Sequence, residues 1–92
     1  MAKTFSIGDR VKISDSYHWA PGVLATVAEP PTPVANLADG WHGPWRQVTS
    51  LRGPLTFYWV QFDVPQIDAD GDGPYAGAEI DADYLASAQS EG

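Results

Sequence analysis

Leu55-Thr-Phe-Tyr-Trp-Val-Gln-Phe-Asp63 is the most strand-like stretch of the chain. β-Branched and aromatic side chains suit a pleated, half-buried surface, and few of these residues suit a turn. Because side chains alternate across a strand, Tyr58, Val60 and Phe62 form an expected inward set, with Phe57, Trp59 and Gln61 facing out. Arg52-Gly53-Pro54 precedes it as a turn, and Trp45-Arg-Gln-Val-Thr-Ser-Leu51 supplies a partner strand. Upstream, Gly8-Asp9 turns the chain into Arg10-Val-Lys-Ile13, in which Val11 and Ile13 alternate with charged residues. Val23-Leu-Ala-Thr-Val-Ala-Glu29 reads as another strand, with Val23, Ala25 and Val27 on one face. Pro30-Pro-Thr-Pro33 stops it, since proline has no amide to give a ladder, and residues 30–44 read as irregular. Downstream, Ala78-Glu-Ile80 is a short last strand with Ile80 inward and Glu79 outward. Asp81-Ala-Asp-Tyr-Leu85 reads as one helical turn capped by Asp81, with Leu85 packing down, and residues 87–92 are expected to fray.

No segment shows sustained helical periodicity, and there are no internal repeats. The expected architecture is all-β: one domain over residues 1–92, a small SH3-like antiparallel barrel of about five strands. It would have long early loops and a C-terminal helical turn. A small OB-type barrel is the next choice, but it normally wants a longer chain and a helix between strands.

Composition narrows the chemistry. The 92 residues are 43% hydrophobic and 12% aromatic, enough to build a core. Cysteine is absent, which removes disulfides, thiolate nucleophiles, thiolate zinc sites and iron–sulfur clusters together. No apolar run approaches a membrane span, and Met-Ala-Lys-Thr-Phe5 has no apolar signal region, so a cytoplasmic location is expected. Twelve acids against five bases give a formal charge of −7, and the acids concentrate from Asp63 onward. Without a basic stripe, nucleic-acid binding is not expected; an acidic surface suits cations or basic partner proteins.

Asp68-Ala-Asp-Gly-Asp-Gly-Pro-Tyr-Ala-Gly-Ala-Glu79 follows the ligand spacing of a calcium loop. Asp68, Asp70 and Asp72 stand at positions one, three and five, Gly73 at six, the Pro74 carbonyl at seven and Glu79 at twelve. Calcium takes six to eight oxygens at roughly 2.3–2.6 Å, which four such carboxylates and a carbonyl would help supply. The flanks are strands rather than helices, however, and Asp-Gly-Asp-Gly is also ordinary turn sequence. A Ca2+ site and a solvated turn both fit. If the loop is metal-free, Asp68 would cap a turn and Tyr75 would pack on the barrel.

Tyr17, Trp19, Trp41, Trp45 and Trp59 fall in loops, at strand ends or on an outward face. They are the expected contact surface for a protein partner or for self-association. The alternative is internal cover, with Trp41 and Trp45 folding the long loop over Phe57 and Trp59. His18 and His42 are far apart, and with no cysteine they make a poor zinc set. Ser14, Ser16 and Ser50 lack an activating setting, no phosphate-binding glycine loop occurs, and so small a barrel offers no deep cleft for paired-carboxylate glycoside chemistry.

Phe5-x-x-Gly8-Asp9-Arg10-Val11, Lys12, Trp19 and Gly22 resemble the N-terminal part of the plasmid-encoded type II dihydrofolate reductases. The resemblance implies an SH3-like barrel assembled as a tetramer around one active-site pore. That pore is lined by Val-Gln-Ile-Tyr, where this chain has Ala78-Glu79-Ile80-Asp81. An acidic pore would repel polyanionic dinucleotides and folates, so the barrel is carried over and the activity is not. Gly8-x-x-Val11-x-Ile13 and Tyr58-x-Val60-x-Phe62-Asp63 are also similar to the photosystem I E subunit and the ferredoxin–thioredoxin reductase variable chain, which are accessory barrels. The expectation is therefore a non-catalytic binding or accessory module. A divergent reductase-like oligomer and an acidic inhibitor or immunity-type protein are the alternatives.

Overall fold

Strand β4, Gly53–Gln66, is the fourteen-residue element on which three other strands of the sheet pair. The computed structural model describes residues 4–37 and 40–88. In chain order it holds β1 (Arg10–Ile13), β2 (Leu24–Val27), α1 (Thr32–Leu37), β3 (Trp45–Ser50), β4, β5 (Tyr75–Asp81), a 3-10 turn at Ala82–Tyr84 and β6 (Leu85–Ser87). All pairings are antiparallel. The path runs β3-β4-β2-β1-β6, with β5 also on β4. One edge of β4 serves two strands in succession, β3 along Gly53–Tyr58 and then β2 along Val60–Phe62, while β5 takes the other edge. The 3-10 turn then carries the chain from β5 to β6 on β1, so the sheet curls into a small barrel-like all-β fold.

The interior follows the period of two. Val11, Ile13, Ala25, Val27, Val60, Ile80 and Leu85 are fully buried, and Tyr58 and Phe62 nearly so. Burying a side chain of this size stabilises the fold by about 1.5–3 kcal/mol. Tyr58 keeps its hydroxyl satisfied by accepting from the Phe5 amide at 3.1 Å, and the Phe5 ring meets it edge-on at 5.3 Å. Asp81 caps the 3-10 turn by accepting from the Asp83 amide, as expected from the sequence.

Three expectations need correction. Residues 30–44 are not wholly irregular, because Thr32–Leu37 is a helix. Pro33 falls in its first turn, where a missing amide costs nothing, and the Ala35 amide donates to the Pro31 carbonyl. β5 begins at Tyr75 rather than Ala78, because Tyr75 pairs with Gln66 across a break in register after Gln61. Leu85, expected in the helical turn, and Ser87, expected to fray, belong instead to a short strand, Leu85–Ser87, that pairs with β1; residues 89–92 lie outside the described residues.

Candidate functional site

The five aromatic residues singled out in the sequence do not share one surface. Trp45 lies opposite Tyr58 on the inner face and packs against the core, while His42 stacks on its ring at 4.7 Å. Trp41 carries the Arg46 guanidinium 5.7 Å from its ring centroid. Its Nε1 is buried with no hydrogen-bond acceptor among the described residues. Tyr17 sits against Tyr84 at 4.9 Å and packs on the core. Desolvation raises its hydroxyl pKa, and the neighbouring Trp19 side chain acts in the opposite direction.

Trp19 and Trp59 do come together. They line one groove of about 440 Å³ with His18, Tyr75, Asp68 and Asp70. Val34 of α1, Ala69, Gly77 and Ala78 complete its walls. Four segments remote in sequence therefore build it: the loop after β1, helix α1, the centre of β4, and the acidic loop with the start of β5.

Each wall is held by local chemistry. Trp19 meets Phe62 edge-on at 5.6 Å and Tyr75 at 6.0 Å, so its indole is pinned between the core and β5. Its loop is closed by the Gly22 amide donating to Ile13 O and the Ile13 amide to Val23 O, each at 2.9 Å. Ala20, the next residue, has φ +54, a left-handed conformation unusual for alanine. Trp59 lies over Gly77, where an added Cβ would come within 2.6 Å of the Val60 carbonyl and 2.9 Å of the Trp59 ring. Only a residue without a side chain leaves Trp59 its seat. Gly73, at φ +123, likewise leaves no room beside Tyr75 and the Gln66 carbonyl.

The acidic loop is a self-closed turn. Asp68 Oδ1 accepts from the amides of Asp70 and Asp72, both at 2.9 Å, and the Asp68 amide donates to the Asp72 carbonyl. This is the local bonding for which aspartate is favoured in turns. Desolvation raises the Tyr75 hydroxyl pKa, followed by the charges of Asp68 and Asp72. Asp70 lines the groove, and its carboxylate has no hydrogen-bond or ion-pair partner among the described residues.

Glu79, the closing position of the calcium spacing, stands apart from this turn. Arg46 of β3 grips it in a two-point pair, Nε to Oε2 at 2.5 Å and Nη2 to Oε1 at 2.8 Å. The four carboxylates are thus divided between a turn and an ion pair across β4. Among the described residues no three acidic or histidine side chains are grouped as metal ligands would be. The other strong pair, Arg10 with Asp63, ties β1 to the end of β4.

No family model matches the chain, and no curated protein or solved structure is similar enough to match it. Nothing in these comparisons links it to the type II reductases. Ile80 is buried in the core and Glu79 is held by Arg46.

Sequence reasoning picked out Trp19, Trp59, Asp68 and Asp70 but assigned them to two separate sites. It placed Tyr75 only as packing on the barrel, and it did not assign Val34 or Gly77 to any site. Tyr75 carried a usable signal: an aromatic residue two positions from Gly77 on an alternating strand. Val34 carried none, because its place depends on a helix of six residues.

Proposed function

We propose that the chain is a non-catalytic binding module whose contact surface is the groove between Trp19, Trp59 and Tyr75. The observation that carries this reading is the juxtaposition of aromatic walls with carboxylates in one open depression. Ligand sites of roughly 300–1,000 Å³ combine mostly apolar lining with a few placed polar groups, and this groove has that make-up. Aromatic side chains also contribute contact area with few rotatable bonds, so little entropy is lost when they are covered.

The test is an unbiased peptide array probed with the whole protein, followed by amide and indole chemical-shift mapping of any binder. Binders should shift the Trp19 and Trp59 indoles and should be lost in Trp59→Ala. Binders that map elsewhere, or an array with no binder, would remove the groove as the contact surface.

A further inference from the structure

The groove has an unbalanced charge. Asp68 and Asp70 line it, and no lysine or arginine does. Asp72 adds negative charge to the same turn. Asp68 is committed to two backbone amides, but Asp70, lining the same groove as the aromatic residues, has a carboxylate with no partner among the described residues. Two of the protein's five bases are already consumed by Asp63 and Glu79. The whole chain carries −7, so an anionic ligand would be repelled from this face.

A neutral apolar ligand would satisfy the walls and leave the carboxylate partly desolvated, which is costly. A small inorganic cation would satisfy the carboxylates and leave the tryptophans idle. One chemistry uses both. Lysine and arginine side chains have an apolar stem and a charged head. The stem can lie on Trp59, Val34 and Ala78 while the head reaches Asp70. Aromatic faces also attract cations through the ring quadrupole, tryptophan most of all.

Resting on the reading of the groove as a contact surface, we infer that it takes the cationic side chain of a lysine or arginine from a basic segment of a partner protein. Binding would exclude water from Asp70 and strengthen its attraction to the bound head. Long-range attraction by the acidic face would speed encounter and weaken with salt, because the Debye length is about 8 Å at physiological ionic strength.

The experiment titrates the full-length protein with alanine-rich peptides of one length that carry a single central lysine, arginine, norleucine or glutamate. Tryptophan fluorescence and indole chemical shifts are the readouts. Lysine and arginine peptides should bind about tenfold or more tightly than norleucine, an advantage within reach of one cation–π contact plus a charge pair. Glutamate should not bind. Asp70→Asn should remove most of that advantage and flatten its salt dependence. The variant should leave the fold intact, because the Asp70 carboxylate has no hydrogen-bond or ion-pair partner among the described residues. Trp59→Phe, which keeps a ring over Gly77, should weaken binding less than Trp59→Leu. Norleucine binding at the same indoles as tightly as lysine would overturn the cation inference and leave the groove reading standing. Lysine peptides shifting Asp81 and Asp83 instead of the indoles, or no peptide binding at all, would overturn both.

Discussion

The barrel interior and the groove use the same residue types in opposite ways. In the interior, Val60, Ile80 and Leu85 are wholly covered, and each contributes by leaving water. In the groove, Trp59 is only partly covered and Tyr75 is 40% exposed, so apolar surface remains open to solvent beside unpaired acid. The interior draws its residues from neighbouring strands in regular alternation. The groove draws them from loops, a short helix, the start of β5 and the centre of β4, the strand that pairs with β2, β3 and β5. The contrast teaches that stability and recognition are separable here: the sheet would survive most changes in the groove, except where the two regions share an atom-scale contact.

The largest expected effect lies in the interior. Ile80→Ala or Leu85→Ala should cost about 2–5 kcal/mol. That is a large part of the roughly 5–15 kcal/mol available to a domain, and chemical denaturation would measure it. Asp70→Asn in the groove should change stability by less than about 0.5 kcal/mol. Comparable losses from the two changes would break the separation.

Gly77→Ala probes where the regions touch. Its methyl would collide with the Val60 carbonyl and the Trp59 ring, so a loss of about 1–3 kcal/mol is expected. The shift should be accompanied by altered Trp59 fluorescence; unchanged fluorescence would mean that Trp59 does not depend on Gly77. Asp68→Ala should cost less, about 0.5–1.5 kcal/mol, because the two amides it releases are exposed and can turn to water. Its signature would be faster amide exchange at Asp70 and Asp72.

Titration sharpens the comparison at its edges. The hydrogen bond from Arg10 lowers the Asp63 pKa. Stability from this pair is therefore present above the ordinary aspartate range near pH 4 and is lost as pH falls through the lower folded value. Asp63→Asn should remove that portion of the acid transition. Tyr17 is shifted the other way, mainly by desolvation, so its contribution is complete below about pH 10 and is lost as pH rises through the higher folded value. Tyr17→Phe should flatten the alkaline limb of a stability profile.

The smallest expected effect is that of calcium. With Glu79 gripped by Arg46, calcium at about 1 mM should move the melting temperature by no more than about 1 °C. A larger rise abolished by both Asp70→Ala and Glu79→Ala would mean that Glu79 leaves Arg46 to close a shell over the turn.

Much of the sheet is legible in the sequence. The inward set Tyr58, Val60 and Phe62, the burial of Ile80 and Leu85 and the cap at Asp81 all follow from alternation and local side-chain bonding. Helix α1 was not legible. Three prolines within Pro30–Pro33 argue against regular structure, and a six-residue helix is too short to show a period. The start of β5 was hidden by the register break between Gln61 and Gln66, which no local pattern marks.

The sequence by itself determined which side chains face inward, because a strand's alternation is a local property that each residue obeys wherever its strand is placed. It also determined the turn at Asp68, whose donors lie within four residues. Only the tertiary structure decided that Glu79 belongs to Arg46, 33 residues away, and that Trp19, Val34, Trp59 and Asp70 share one groove. Those outcomes depend on β4 pairing with β2, β3 and β5 at once. Strand order is a property of the whole curled sheet, and no single segment carries it.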